Sequence, residues 1–207
     1  MIDNAKLVEQ IKAIATRIEA EKDFLTQLDN EIADGDHGIN LARGFNAAVD
    51  KLPTVEGKDF GTILKTTGMT LVSTVGGSAG PLYGTAFMKA GVALKDKTEI
   101  DAADFVKAVE AAIGGIQMRG KAVEGEKTML DALIPAHKAM AAAVEAGDDL
   151  KTALEKAIKA AHEGIEFTKT IKATKGRASY IGDRSIGHQD PGATSITYVM
   201  EAIHSTL

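Results

Sequence analysis

The chain has 207 residues, 44% hydrophobic and 26% charged, a balance that suits one sizeable globular domain rather than two. Its formal net charge of −5 argues against nucleic acid or an anionic membrane as a general partner, so an anionic ligand has to be met by local positive charge. The absence of cysteine excludes disulfides, thiolate catalysis and Cys-ligated zinc, and no run approaches the roughly 18 apolar residues of a membrane span.

Nothing near the start resembles a signal peptide, because Asp3 and Glu9 interrupt any apolar core; the expected location is the cytoplasm. Leu7, Ile11, Ile14, Ile18, Leu25, Leu28 and Ile32 recur at helical spacing. They predict one long amphipathic helix entered at Asp3 or Asn4 and ending near Ala33. The stretch 29-DNEIADGDHG-38 overlaps the end of that stripe and crowds Asp29, Asp34 and Asp36 together. On one helix Asp34 and Asp36 would point to different sides. Gly35 permits a turn that lets them converge with Asp29.

Two readings of this stretch stand side by side. One is an acidic turn in solvent, with Asp36 capping the next helix. The other is a cation site, for which an all-oxygen donor set suits Mg²⁺, Mn²⁺ or Ca²⁺ better than zinc. An EF-hand is excluded: its bidentate Glu would fall on Phe45 counted from Asp34, or on Asn40 counted from Asp29. Three carboxylates do not complete a calcium cage, whereas Mg²⁺ takes further ligands from water and from phosphates. The cation reading therefore implies a phosphorylated ligand. His37 reads as a positioning residue and not as a general base.

Further helical stretches read at Ile39, Ala42, Phe45 and Val49, then near 60–74, 80–93, 101–119, 127–146, 149–171 and 191–205. With the first helix this makes about eight, and no stretch alternates as a strand does. In 76-GGSAGPLYG-84, Pro81 fits a first helical position with Gly80 as N-cap. The bare N–H groups there, with Ser78, could hold an anion, or the glycines could simply allow a tight turn. The run 115-GIQMRGKA-122 imitates a P-loop, but Ala122 replaces the required hydroxyl and a helix precedes it, so the P-loop is rejected. Gly120 instead begins a loop that closes on Thr128 as N-cap. Met129 could pack on a flat ligand or fill the core. Pro135 removes the hydrogen bond to the Asp131 carbonyl, and a kink is expected there.

The last loop, 174-TKGRASYIGDRSIGHQDPG-192, is long enough to be functional and carries Lys175, Arg177 and Arg184. Arg177 suits a phosphate through its planar fork, or a surface salt bridge. His188 reads as a structural hydrogen-bonding residue, and Asp190-Pro191 as a helix start.

Taken in order, 34-DGDHGINLARGF-45, 76-GGSAGPLYGTAF-87, 120-GKAVEGEKTMLDAL-133 and 176-GRASYIGDRSIGHQDPGATS-195 resemble the L-subunit family of dihydroxyacetone kinases. The resemblance covers nearly the whole chain. It implies an all-α, single-domain fold over 1–207, an eight-helix antiparallel barrel with the nucleotide at one end. It implies ADP or ATP bound tightly through two Mg²⁺ ions, with Asp29, Asp34 and Asp36 as metal ligands. It places the nucleotide against His37, Gly38, Ile39, Asn40, Ser78, Ala79, Gly120, Met129, Arg177, Asp190, Pro191 and Gly192, with Arg177 also the catalytic residue.

The implied activity is phosphotransfer. A phosphohistidine on an M subunit phosphorylates the bound ADP in place, and the γ-phosphoryl passes to dihydroxyacetone on a K subunit. A regulator protein and a second copy of the chain are further partners the resemblance allows. Two alternatives remain open, a ketose kinase subunit with exchangeable ATP and a nucleotide-loaded regulatory module.

Overall fold

Asp3 opens the first helix, α1 (Asn4–Ala20), by accepting the Lys6 N–H at 2.7 Å in the computed structural model, which describes residues 1–207. The apolar stripe runs on, but the helix does not. At Glu21 the backbone turns (φ −101°, ψ 8°) and a second helix, α2 (Lys22–Ile32), begins. The expected single helix is therefore two. No side chain between Glu19 and Phe24 is buried, so the sequence carries no apolar marker of the break.

Gly35, at φ +71°, turns the chain into α3 (His37–Lys51), which starts two residues before the first predicted apolar position. A 3₁₀ turn at Leu52–Val55 leads to α4 (Phe60–Thr74), capped by Asp59. Helix α5 (Ala79–Ala93) begins earlier than expected, with Ser78 and not Gly80 in the cap position. Gly80 lies within its first turn, where a Cβ would sit 2.3 Å from the Val75 carbonyl oxygen. Then follow α6 (Ala102–Gly120), α7 (Leu130–Glu145) and α8 (Leu150–Thr170). A 3₁₀ helix at Arg177–Ser185, interrupted at Gly182, leads to α9 (Pro191–His204). The only strands are β1 (Ile2–Asp3) and β2 (Glu99–Ile100), paired antiparallel and too short to show alternation.

The product is a nearly all-helical single domain with nine α-helices, one more than the periodicity predicted. Helix α1 packs on α3, and α3 on α4; the order continues through α5, α6, α7 and α8 to α9, which returns to α1. Helix α2 stands outside this cycle, against α3 and α9. The main cluster of 31 buried apolar residues draws on every helix in the cycle.

Glycines permit two close approaches between neighbouring helices. A Cβ on Gly68 would lie 2.6 Å from the Gly84 carbonyl, and one on Gly84 would lie 2.6 Å from the Gly68 carbonyl, so α4 and α5 meet backbone to backbone. Helix α7 continues through Pro135. The Asp131 carbonyl that Pro135 leaves without its helical partner faces Gly164 of α8, where a Cβ would come within 2.1 Å of it. No helix is long and apolar enough to cross a membrane.

Candidate functional site

The first turn of α3 is held by a residue from α2. Asp29 is buried and its Oδ2 accepts the Asp36 N–H at 2.9 Å and the His37 N–H at 3.2 Å. Asp36, which one reading made the cap, forms no side-chain capping bond. Its carboxylate joins the others instead: one oxygen from each of Asp29, Asp34 and Asp36 lies within 4.8 Å of the rest. Arg177 Nε reaches Asp34 Oδ2 at 3.2 Å, so the loop after α8 closes over the cluster. The donors fit a hard divalent ion: all are oxygens, and three carboxylates this close repel one another unless a cation or the guanidinium neutralises them.

The cluster opens into a cavity of about 480 Å³. The N-terminal turns of α3, α5, α7 and α9 converge on it, through His37, Ala79, Met129 and Pro191. Each such turn brings the positive end of a helix dipole to the cavity, so the wall that these turns form favours an anion. Ser78 makes no capping bond in α5 and stands on the same wall. Asn40, Gly120, Asp190 and Gly192 line the cavity too, as do Lys175 and Arg177. Asn40 is oriented by Arg43, whose Nη2 donates to its Oδ1 at 2.7 Å while Nε holds the Thr74 carbonyl at 2.9 Å.

Two residues that the resemblance placed in the site do not line the cavity. Gly38 faces α2, where a Cβ would meet the Lys22 carbonyl at 2.0 Å, and Ile39 is 50% exposed to solvent. On a helix only positions three or four apart share a face, so the side chains of His37 and Asn40 reach the cavity, whereas the pair between them can offer it only main-chain N–H groups. Arg184 is not part of the lining either. His188 has a structural partner, its Nδ1 lying 2.9 Å from Glu31 Oε2.

Several contributors were not read from the sequence. His37 Nε2 lies 2.9 Å from Ser195 Oγ, which lies 2.7 Å from the Tyr83 hydroxyl. This buried chain joins α3, α9 and α5. Burial pushes the His37 imidazole below its ordinary value, against the raising effect of Asp29 and Asp36, and burial raises Tyr83. Asp131 is buried and accepts N–H bonds from Thr128 at 2.7 Å and from Gly125, so its carboxylate folds the 120–129 loop back on α7. Thr128 Oγ1 in turn accepts the Leu130 N–H at 3.2 Å. That reciprocal pattern is a capping box with Asp in place of Glu, and Thr-x-x-Asp was its available signal. Lys127 is buried beside the cavity, and nothing in the sequence distinguishes it from a surface lysine. Asp190 caps α9 through the Ala193 N–H at 2.7 Å. Burial pushes Asp190 up to about 7, although the Ala193 bond and the Lys127 charge both pull it down.

Residues 31–205 match the DAK2 domain. The chain belongs to that family. This DAK2 domain is 41% identical over 202 residues to the ADP-binding subunit DhaL of the PEP-dependent dihydroxyacetone kinase of Escherichia coli, covering 98% of this chain and 96% of that one. It is 45% identical over 190 residues to the corresponding subunit of dihydroxyacetone kinase 1 of Listeria innocua, covering 92% and 90%. Among solved structures, it is similar to the dihydroxyacetone kinase from C. freundii in complex with AMP-PNP and Mg²⁺. That likeness has a TM-score of 0.76 at 25% identity, and covers 99% of this chain and 34% of the longer one.

Proposed function

We propose that this DAK2 domain, taken as one L-type unit over residues 1–207, is the ADP-binding subunit of a phosphoenolpyruvate-dependent dihydroxyacetone kinase. One observation carries the reading. Three aspartates and Arg177 meet four helix N-termini around one cavity, in a chain that spans 96% of an ADP-binding relative. The closed packing order of eight of the nine helices supports an antiparallel barrel with that cavity at one end.

Asp29, Asp34 and Asp36 would hold two Mg²⁺ ions, and the ions would offset the charge of a polyphosphate. The chain's own groups do the rest. N–H groups at the starts of α3 and α5, with Ser78 and Asn40, bind and orient phosphate oxygens. Arg177 leaves Asp34 for the phosphates and stabilises the charge that spreads over the transferred group, which is its catalytic role. Met129, Gly120 and the 190–192 turn offer a flat apolar face to a base. Positioning and charge neutralisation suffice for phosphoryl transfer, and the acceptor ketose would sit on a K subunit. That explains why no acid–base pair is needed here. The phosphohistidine of an M subunit would restore the γ-phosphoryl in place.

Native mass spectrometry tests the cofactor part, with ADP and two Mg²⁺ expected on the purified chain. Reconstitution with K and M proteins tests the activity, with dihydroxyacetone phosphate as the product measured. Rapid exchange of labelled ATP together with no retained ADP would replace this reading with an ATP-dependent ketose kinase subunit. Retained ADP with no product under any combination would favour a regulatory module.

A further inference from the structure

Lys127 is 1% exposed and sits at φ +60°, a conformation that non-glycine residues adopt rarely. A lysine is almost never buried unless it is paired, and its ammonium loses solvation there. Its Nζ donates to two main-chain carbonyls from separate segments, Thr168 at the end of α8 and His188 in the loop that follows. Asp190 and Asp131 supply the facing negative charge, and burial lowers the lysine's own pKa against their pull.

The neighbouring residue repeats the pattern at the surface. The Glu126 carbonyl accepts the Thr174 N–H at 3.3 Å, and its carboxylate lies 3.3 Å from Thr174 Oγ1 and 3.8 Å from Lys175 Nζ. Thr168 adds a third tie, since its Oγ1 accepts the Asp190 N–H at 3.0 Å. The cavity has one wall from the 120–129 loop and another from the 175–178 and 190–192 turns. No helix is shared by these walls. They are joined through Glu126 and Lys127.

We propose that Lys127 is a positioning residue that staples the 172–190 segment to the 120–129 loop and so sets how slowly a bound nucleotide leaves. This rests on the nucleotide-binding reading above. Two carbonyl acceptors at the end of one flexible stem require an ammonium, and no apolar side chain can satisfy them. When the staple is absent, the second wall keeps its ties to α8 and to the small apolar cluster of Ile32, Ala173 and Ala178, but it loses its buried hold on the 120–129 loop, and the nucleotide has an exit beside Asp190.

Release of a fluorescent ADP analogue into excess ADP, with Mg²⁺ present, reads the dissociation rate. For Lys127→Met the expected result is release ~10- to 100-fold faster, the loss of a charge-assisted hydrogen bond, with association little changed. Because the chain has no cysteine, Lys127→Cys offers a single thiol. Alkylation of the unfolded variant with 2-bromoethylamine, in which the thiolate displaces bromide, restores an ammonium at nearly lysine's reach. The refolded, alkylated protein is expected to release the analogue close to the wild-type rate, and the untreated variant is not.

Release within threefold of wild type in Lys127→Met, with only the melting temperature lowered, would show a structural role alone and overturn the proposal. Alkylation that leaves the fast rate unchanged would do the same. If Lys127→Met does not fold, Glu126→Ala reads the staple from its surface half. Release ~3-fold faster or more supports the proposal, and an unchanged rate overturns it. Wild-type protein that retains no analogue would instead overturn the nucleotide-binding reading itself.

Discussion

Asp29 shows how one side chain can serve fold and site together. Its Oδ2 caps α3 through the Asp36 and His37 N–H groups while the residue stands in the carboxylate cluster, whereas Asp36 stands in the cluster without capping. The two therefore separate on substitution. Asp29→Ala should lose Mg²⁺ and nucleotide and also cost ~1 kcal/mol of metal-free stability. Asp36→Ala should lose both ligands at little or no cost to the metal-free fold, since it also relieves repulsion. Isothermal titration and urea unfolding check the pair. Asp190 gives a pH signature. Burial raises it to about 7 when folded, whereas the unfolded side chain titrates near its ordinary value, about 4. Between those values the folded state holds a proton that the unfolded state releases, so stability falls as pH rises through that window. In nucleotide-free protein, the melting temperature of Asp190→Asn should gain on the wild type between pH 4 and 7 and stay level above it, as thermal melts across that range would show.

The packing of α7 against α8 rests on a missing side chain. The Asp131 carbonyl faces Gly164 where a Cβ would lie 2.1 Å away, so Gly164→Ala must push the helices apart. We expect it to destabilise by ~2–3 kcal/mol in urea unfolding, at the upper end of what overpacking costs. The neighbouring Pro135 was legible as a disturbance in α7, but the place where the freed carbonyl goes was not, because Gly164 lies 29 residues away in sequence. The break at Glu21 was hidden for a different reason, since a stripe with no large apolar residue between Ile18 and Phe24 fits one helix or two. The early start of α5 follows from the same limit. Pro81 is tolerated throughout a first turn, so it marks a helix start without fixing its first residue.

Across the whole molecule the proposed nucleotide cavity lies at the meeting point of four helices, so occupancy should stabilise the complete fold. ADP with Mg²⁺ at a hundredfold excess over Kd should add about 2.7 kcal/mol. For a chain of this size that is roughly 5–10 °C in melting temperature, and Asp34→Asn should show none of it. Differential scanning fluorimetry with each component alone and together would separate metal from nucleotide. The aspartates carry no capping role between them except at Asp29, which is why the site can fail without the helices failing.

The sequence by itself determined the helical class and most element positions, because a buried helical face repeats at a period the chain must display. It also singled out the three aspartates, Arg177 and the glycine loops as candidates, because ligands and turns demand particular residue types at close spacing. Only the tertiary structure decided that the Cβ position of Gly38 and the side chain of Ile39 point away from the cavity, a matter of which face α3 presents. It alone revealed Tyr83, Ser195 and Lys127, whose partners are 112, 158, 41 and 61 residues distant. Periodicity reports which residues are buried along one element. It is silent on which polar groups from different elements meet, and the walls of this site are made of such meetings.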